Sequence, residues 1–222
     1  MLENILYKLS LFHPTISNAV SLLFLALSIV FNVSYVNSTR DLVYYWYIRP
    51  IVTFFISAII RIIIETLFPG TLFDLSGNNF FINIVLLYLL IDFNIYLIHF
   101  LMHKNKWLFH FHRIHHQIEN LSWENGSKDT IVFEIAVVTI AVLFSYFLNI
   151  SLMTTAITIF IWKFALAYTH SNSRYHSSWL NWLIISPEKH ELHHTHSNKD
   201  DYNFSITLTF WDELYRFVRK LL

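Results

Sequence analysis

The chain carries 13 histidines and no cysteine among its 222 residues, so thiolate chemistry is excluded and an imidazole-rich chain offers nitrogen donors to a metal. Nine of the histidines are arranged as a pair, two triplets and a singleton. His99 and His103 are one helical turn apart and follow Asp92 and Tyr96; at about 100° per residue the four side chains share a sector about 60° wide. His112, His115 and His116 recur at i, i+3, i+4, and His190, His193 and His194 repeat that spacing, which brings two or three imidazoles to one edge of a helix. His170 stands alone, just before Ser171 and Asn172. A single histidine at a helix end is ordinarily a hydrogen-bonded structural residue. Packing gives no reason to repeat imidazoles at i, i+3 and i+4, whereas a two-metal site needs many neutral nitrogen donors on short helices, and imidazole suits iron, zinc or copper. The nine are therefore read as metal ligands. Asp92 is expected to orient one of them by accepting its second N–H; a helix-packing or substrate-contact role for Asp92 and Tyr96 stands beside that reading. His13, His110, His176 and His196 fall off the spacing and are read as structural or supporting residues.

The elements that must hold these side chains are apolar. Hydrophobic residues make up 55% of the chain and charged residues 14%, with a mean hydropathy of +0.46, a composition far from that of a soluble domain. Hydrophobic runs cover 16–36, 51–68, 80–102, 131–148 and 152–168, each near the roughly 20 apolar residues that cross a bilayer. The last two are parted only by Asn149, Ile150 and Ser151 and read as a hairpin. The first lacks a small-residue cleavage site and a strongly basic leader, so an uncleaved helix is expected there. Pro14, Pro50, Pro69 and Pro187 lie at run ends or in loops, and no repeat or flexible linker interrupts the chain, so one domain over 1–222 is expected. The fold class is all-α integral membrane, with four to five transmembrane helices and a cytoplasmic histidine-rich helical cap.

Alternating spans place His103, the two triplets and His170 on one side of the membrane. That side also takes most of the Lys and Arg, including Arg40, Lys104, Arg113, Lys189, Arg216 and Lys220, so it is cytoplasmic by the positive-inside bias, in a bacterial inner membrane or, in a eukaryote, the endoplasmic reticulum. Arg61 and Glu65, one turn apart, are expected to neutralise each other, and Lys163 to extend toward the interface. Formal net charge is zero and no basic stripe interleaves with aromatics, which argues against nucleic acid as a partner. A metal transporter would carry its ligands near the midplane on broken helices, and a bis-histidine haem carrier would use isolated histidines on facing helices. Neither matches clusters at span ends. A metal-binding membrane protein without catalytic activity, a transporter or pseudoenzyme, is the alternative from another class.

At these residues the sequence resembles the fatty acid hydroxylase/sterol desaturase superfamily, especially its short bacterial members, from about Asp92 to Tyr215. Asp92, Tyr96, His99 and His103 match the first histidine box and its upstream residues. Trp107 with His112, His115 and His116 matches the second, and His170-Ser171-Asn172 the isolated third element. Pro187, His190, His193 and His194 match the last box; Asn203-Phe204-Ser205 and Trp211-Asp212 are similar to the closing elements. Phe100, Glu191 and Ser205 depart from the pattern, and so do the stretches around Lys128-Asp129-Thr130 and Tyr215-Arg216-Phe217, without removing a ligand position. The resemblance implies two non-haem iron ions held by the nine histidines, O₂ as co-substrate, and hydroxylation or desaturation of a lipid. It also implies electrons from a separate donor protein, and the chain, with three Gly, has no Gly-rich dinucleotide fingerprint.

Overall fold

A computed structural model describes residues 49–117, 121–122, 131–171, 179–195 and 203–221. The expected first span over 16–36, together with His13, His176, His196, Asn172, Arg40 and Lys128-Asp129-Thr130, lies outside them. The described elements are α1 (Arg49–Leu67), α2 (Phe80–Lys104), α3 (Lys106–His116), α4 (Ile131–Phe147), α5 (Leu152–Thr169), α6 (Leu180–Leu183), α7 (Pro187–Thr195) and α8 (Phe210–Leu221). Among the described residues the only extended pairing is an antiparallel bridge between Ile184 and Leu208. The fold is all-α.

Helix α2, with 25 residues, is long and apolar enough to cross a membrane; the apolar helical stretches Ile135–Phe147 and Met153–Thr169 are shorter. Leu89, Phe93, Leu97 and Leu101 recur every fourth residue of α2 and are exposed, whereas Asp92, Ile95, Tyr96 and His99 are buried. That division suits a helix with one apolar edge toward lipid and one polar-bearing edge toward protein.

The chain divides into two compact units, 1–87 with 138–160, and 88–137 with 161–222. In the first, the turn between α4 and α5 is made by Asn149, whose φ of 52° places it in the left-handed region. The strapping segment 70–75 is pinned there: the Leu72 and Phe73 N–H groups donate to the Phe147 carbonyl, and the Asn149 amide donates to Asp74. Tyr146 donates its hydroxyl to the Phe68 carbonyl and accepts from the Gly70 N–H. Arg61 pairs with Glu65 and lies over the Tyr146 ring at 4.4 Å from its centroid, so the expected neutralisation is completed by a cation–π contact.

The second unit contains every candidate site residue. Asn105 separates α2 from α3 as the N-cap of α3: its side-chain oxygen accepts from the Trp107 and Leu108 N–H groups, which stops one helix and starts the next without leaving those donors unpaired. Helix α7 starts the same way, with the Ser186 hydroxyl accepting from the Lys189 N–H and Pro187 in the first helical position, where its missing N–H costs nothing. The strip preceding α7 is held by two backbone bonds, Ile185 N–H to the Thr207 carbonyl at 2.8 Å and Thr209 N–H to the Leu183 carbonyl at 3.1 Å. Residues 203–209 are thereby fixed beside α7. Asn203, with φ of 44°, ties the strip further by donating to the Lys189 carbonyl and accepting from Arg216.

Candidate metal centre

The pair, both triplets and His170 come together in the second unit, and the nine sort into two groups. His99, His103, His112, His116 and His193 form one; His115, His170, His190 and His194 form the other, with the donor atoms of each group within 4.8 Å of one another. Each triplet is divided between the groups. From α3, His112 and His116 join the first group and His115 the second; from α7, His190 and His194 join the second and His193 the first. The helix explains the division: i and i+4 lie about 40° apart while i+3 falls on the other side of i, so one short helix presents two imidazoles one way and one the other. The adjacent pairs His115-His116 and His193-His194 are the points where each helix serves both groups.

The donor spacing fits metal ligation. In the first group the His99 Nε2 lies 3.2 Å from the Nε2 of both His103 and His193, and the His103 Nε2 lies 3.1 Å from that of His116. In the second, the His170 Nε2 lies 3.0 Å from the Nε2 of His115 and of His190. Two nitrogens at right angles on one metal, each about 2.1 Å from it, are about 3 Å apart. The ring tautomers agree. His99 donates its Nδ1–H to the Phe204 carbonyl at 2.7 Å, and His170 donates its Nδ1–H to the Leu166 carbonyl at 2.9 Å. Each Nε2 therefore turns a lone pair inward, and the carbonyl behind each ring supplies the support that ligating histidines need. Both ring nitrogens of His194 are buried with no hydrogen-bond partner, an arrangement costly for an imidazole that has nothing to bind.

Burial holds these rings neutral. His115 and His190 are pushed well below the ordinary histidine value, His170 to about 4, His116 to about 3 and His194 to about 2. Loss of hydration is the main cause each time, and neighbouring imidazoles push the same way. The Leu166 carbonyl pulls His170 partly back up. Neutral nitrogen donors at pH 7 are what metal binding requires.

The Asp92 carboxylate accepts from Trp162 Nε1 (3.0 Å) and the Thr207 hydroxyl (2.6 Å) on one oxygen, and from the Leu208 N–H (3.2 Å) and Trp211 Nε1 (2.9 Å) on the other. All four acceptor directions are used, and none of these partners is an imidazole. These bonds join α2, α5, the 203–209 strip and α8 at one carboxylate. Tyr96 is buried, and its ring lies 6.4 Å from that of Phe100; its hydroxyl has no hydrogen-bond partner. His110 is exposed and belongs to neither group.

Sequence reasoning missed the two backbone carbonyls, Phe204 and Leu166, and it missed Trp162 and Thr207 altogether. It placed Trp211-Asp212 and Asn203-Phe204-Ser205 only by resemblance. Asp212 is buried, accepts from the Phe204 N–H at 2.9 Å on one oxygen and from the Ser205 N–H at 3.0 Å on the other, and its own N–H donates to the Ser205 hydroxyl. Burial raises its carboxyl pKa, against the opposing pull of the Ser205 and Phe204 N–H groups and of Arg216. Ser205 thus contributes a hydroxyl where the resembled pattern has glycine.

Two adjoining imidazole groups on a helical scaffold, with one helix long and apolar enough to cross a membrane, have the architecture of the histidine-box di-iron oxidoreductases. Residues 84–216, well over half of the chain, match the fatty acid hydroxylase family, and the chain belongs to it, within the fatty acid hydroxylase/sterol desaturase superfamily. Comparisons with curated proteins and with solved structures gave no match.

Proposed function

We propose that the chain is an O₂-dependent lipid hydroxylase or desaturase that works at two iron ions. One would be held by His99, His103, His112, His116 and His193, the other by His115, His170, His190 and His194. The observation that carries this reading is the sorting of nine buried or half-buried imidazoles into two donor groups, with the Nε2 lone pairs of His99 and His170 turned inward. Bound iron would supply the oxidising chemistry with O₂ that no amino-acid side chain provides. The protein's part is to hold the ligand rings, exclude water and present a carbon. Phe204 and Leu166 fix two ring orientations through their carbonyls, and the Asp92 knot keeps α2, α5 and α8 in register around them. Phe204 also packs its ring against His103 and His193, with centroids 5.5 and 5.9 Å apart, so that flank of the first group is walled by an aromatic side chain instead of solvent.

The substrate is a fatty acyl, sterol-like or other isoprenoid chain that enters sideways from the bilayer, so it never crosses water. Electrons come from a separate donor protein. The histidine groups face the cytoplasm, and the four to five spans expected from the hydrophobic runs anchor them. Comparative lipid analysis of cells with and without the chain tests the reaction: the product should differ from its precursor by one added oxygen or two fewer hydrogens. Identical lipid profiles under aerobic growth with the protein present would contradict it.

A further inference from the structure

The Phe204 carbonyl that receives the His99 Nδ1–H and the Ser205 N–H that donates to Asp212 belong to one and the same peptide group. A carboxylate, a single amide and an imidazole therefore stand in line, with contacts of 3.0 and 2.7 Å. We propose that Asp212 is a positioning residue for His99, acting through the Phe204–Ser205 peptide to set both the orientation of the ring and the donor strength of its Nε2. This rests on the reading of His99 as a metal ligand.

The physical chain has three steps. A carboxylate bonded to an amide N–H makes a charge-assisted bond that draws the amide's electrons toward its carbonyl oxygen. A more electron-rich carbonyl pulls harder on the next N–H, and hydrogen bonds in series strengthen one another by perhaps 10–30% each. The imidazole whose Nδ1–H is pulled gains electron density at Nε2, which is how supporting partners raise the basicity of ligating histidines. The other oxygen of Asp212 holds the N–H of the preceding peptide at Phe204, so one carboxylate pins the backbone on both sides of the residue whose carbonyl meets the ring.

The other group offers an internal comparison. The Leu166 carbonyl behind His170 is a helix carbonyl that also accepts from the His170 backbone N–H and the Thr169 hydroxyl. It is shared among three donors. The carboxylate-backed ring of His99 lies in the five-imidazole group, whereas His170 in the other leans on a shared helix carbonyl, so these two supports are electronically unequal.

The test uses the full chain in detergent, loaded with ⁵⁷Fe, and compares wild type with Asp212→Asn and Asp212→Glu. Asp212→Asn keeps the size and removes the charge. Against a competing chelator it should lose one of the two ions about 10- to 100-fold more readily. In Mössbauer spectra one of the two iron components should shift while the other stays in place, a selectivity that loosening of the whole strip would not give. Asp212→Glu retains the charge and should shift the same component less. If Asp212→Asn does not fold, the Asp212→Glu spectrum decides. Two unchanged components and wild-type retention in the folded variants would overturn the proposal and leave Asp212 as a loop clamp. A wild type that binds no metal would instead overturn the underlying reading of His99.

Discussion

Asp92→Asn separates a structural knot from a ligand support. The substitution replaces one carboxylate oxygen by an NH₂ group, so two of the four donors, either Trp162 and Thr207 or Leu208 and Trp211, lose their acceptor and face another donor. Each orphaned buried group costs about 1–3 kcal/mol, hence roughly 2–6 kcal/mol in all. For a chain of this size that corresponds to a fall in Tm on the order of 5–20 °C. Trp211→Phe removes only one of the four bonds and should cost about 1 kcal/mol beyond its lost packing. Thermal unfolding of the detergent-solubilised protein, followed by size-exclusion fluorescence, reads the stability. Metal content per folded chain is measured on the same samples below the transition, and it should stay at the wild-type level because Asp92 touches no imidazole. Loss of one metal with Tm unchanged would refute the reasoning and return Asp92 to the ligand-orienting role.

Three further outcomes follow from the geometry. His194→Ala removes one imidazole from the group of four and none from the group of five, so metal content measured after a chelator wash should fall from two ions toward one per chain; retention of both would show that His194 is a bystander. His110→Ala should leave metal content and turnover at wild-type levels, since His110 is exposed and lies outside both groups, and a loss of either would mean that its segment reaches the centre in another state. Tags placed after Leu222 and in the segment near Asn78 should report opposite sides of the membrane by protease access, with the C-terminus cytoplasmic; both on one side would break the proposed orientation.

Much of the site was legible in the sequence because its signal is local. The i, i+3, i+4 spacing of His112, His115 and His116 and of His190, His193 and His194 depends only on helix geometry, and the long apolar runs at 51–68, 80–102, 131–148 and 152–168 coincide closely with α1, α2, α4 and α5. What stayed hidden is tertiary. Helix spacing separates i and i+4 from i+3, but which of the two groups each set joins depends on how α3 and α7 pack against α2. The carbonyls of Phe204 and Leu166 have no sequence signature at all, since every residue carries one. The sequence left Asp92 open between orienting a ligand and helix packing because a buried carboxylate takes donors of any kind. Its actual donors, Trp162, Thr207, Leu208 and Trp211, lie 70 or more positions away along the chain, where only the fold could reveal them.

The central claim, two iron ions held by nine histidines, is tested most directly by iron analysis of the full-length protein purified after growth in iron-supplemented medium, with absorption spectra recorded alongside. Close to two irons per chain are expected, with no Soret band and no labile sulfide. A fully active protein holding one iron per chain, or holding haem, would contradict the account.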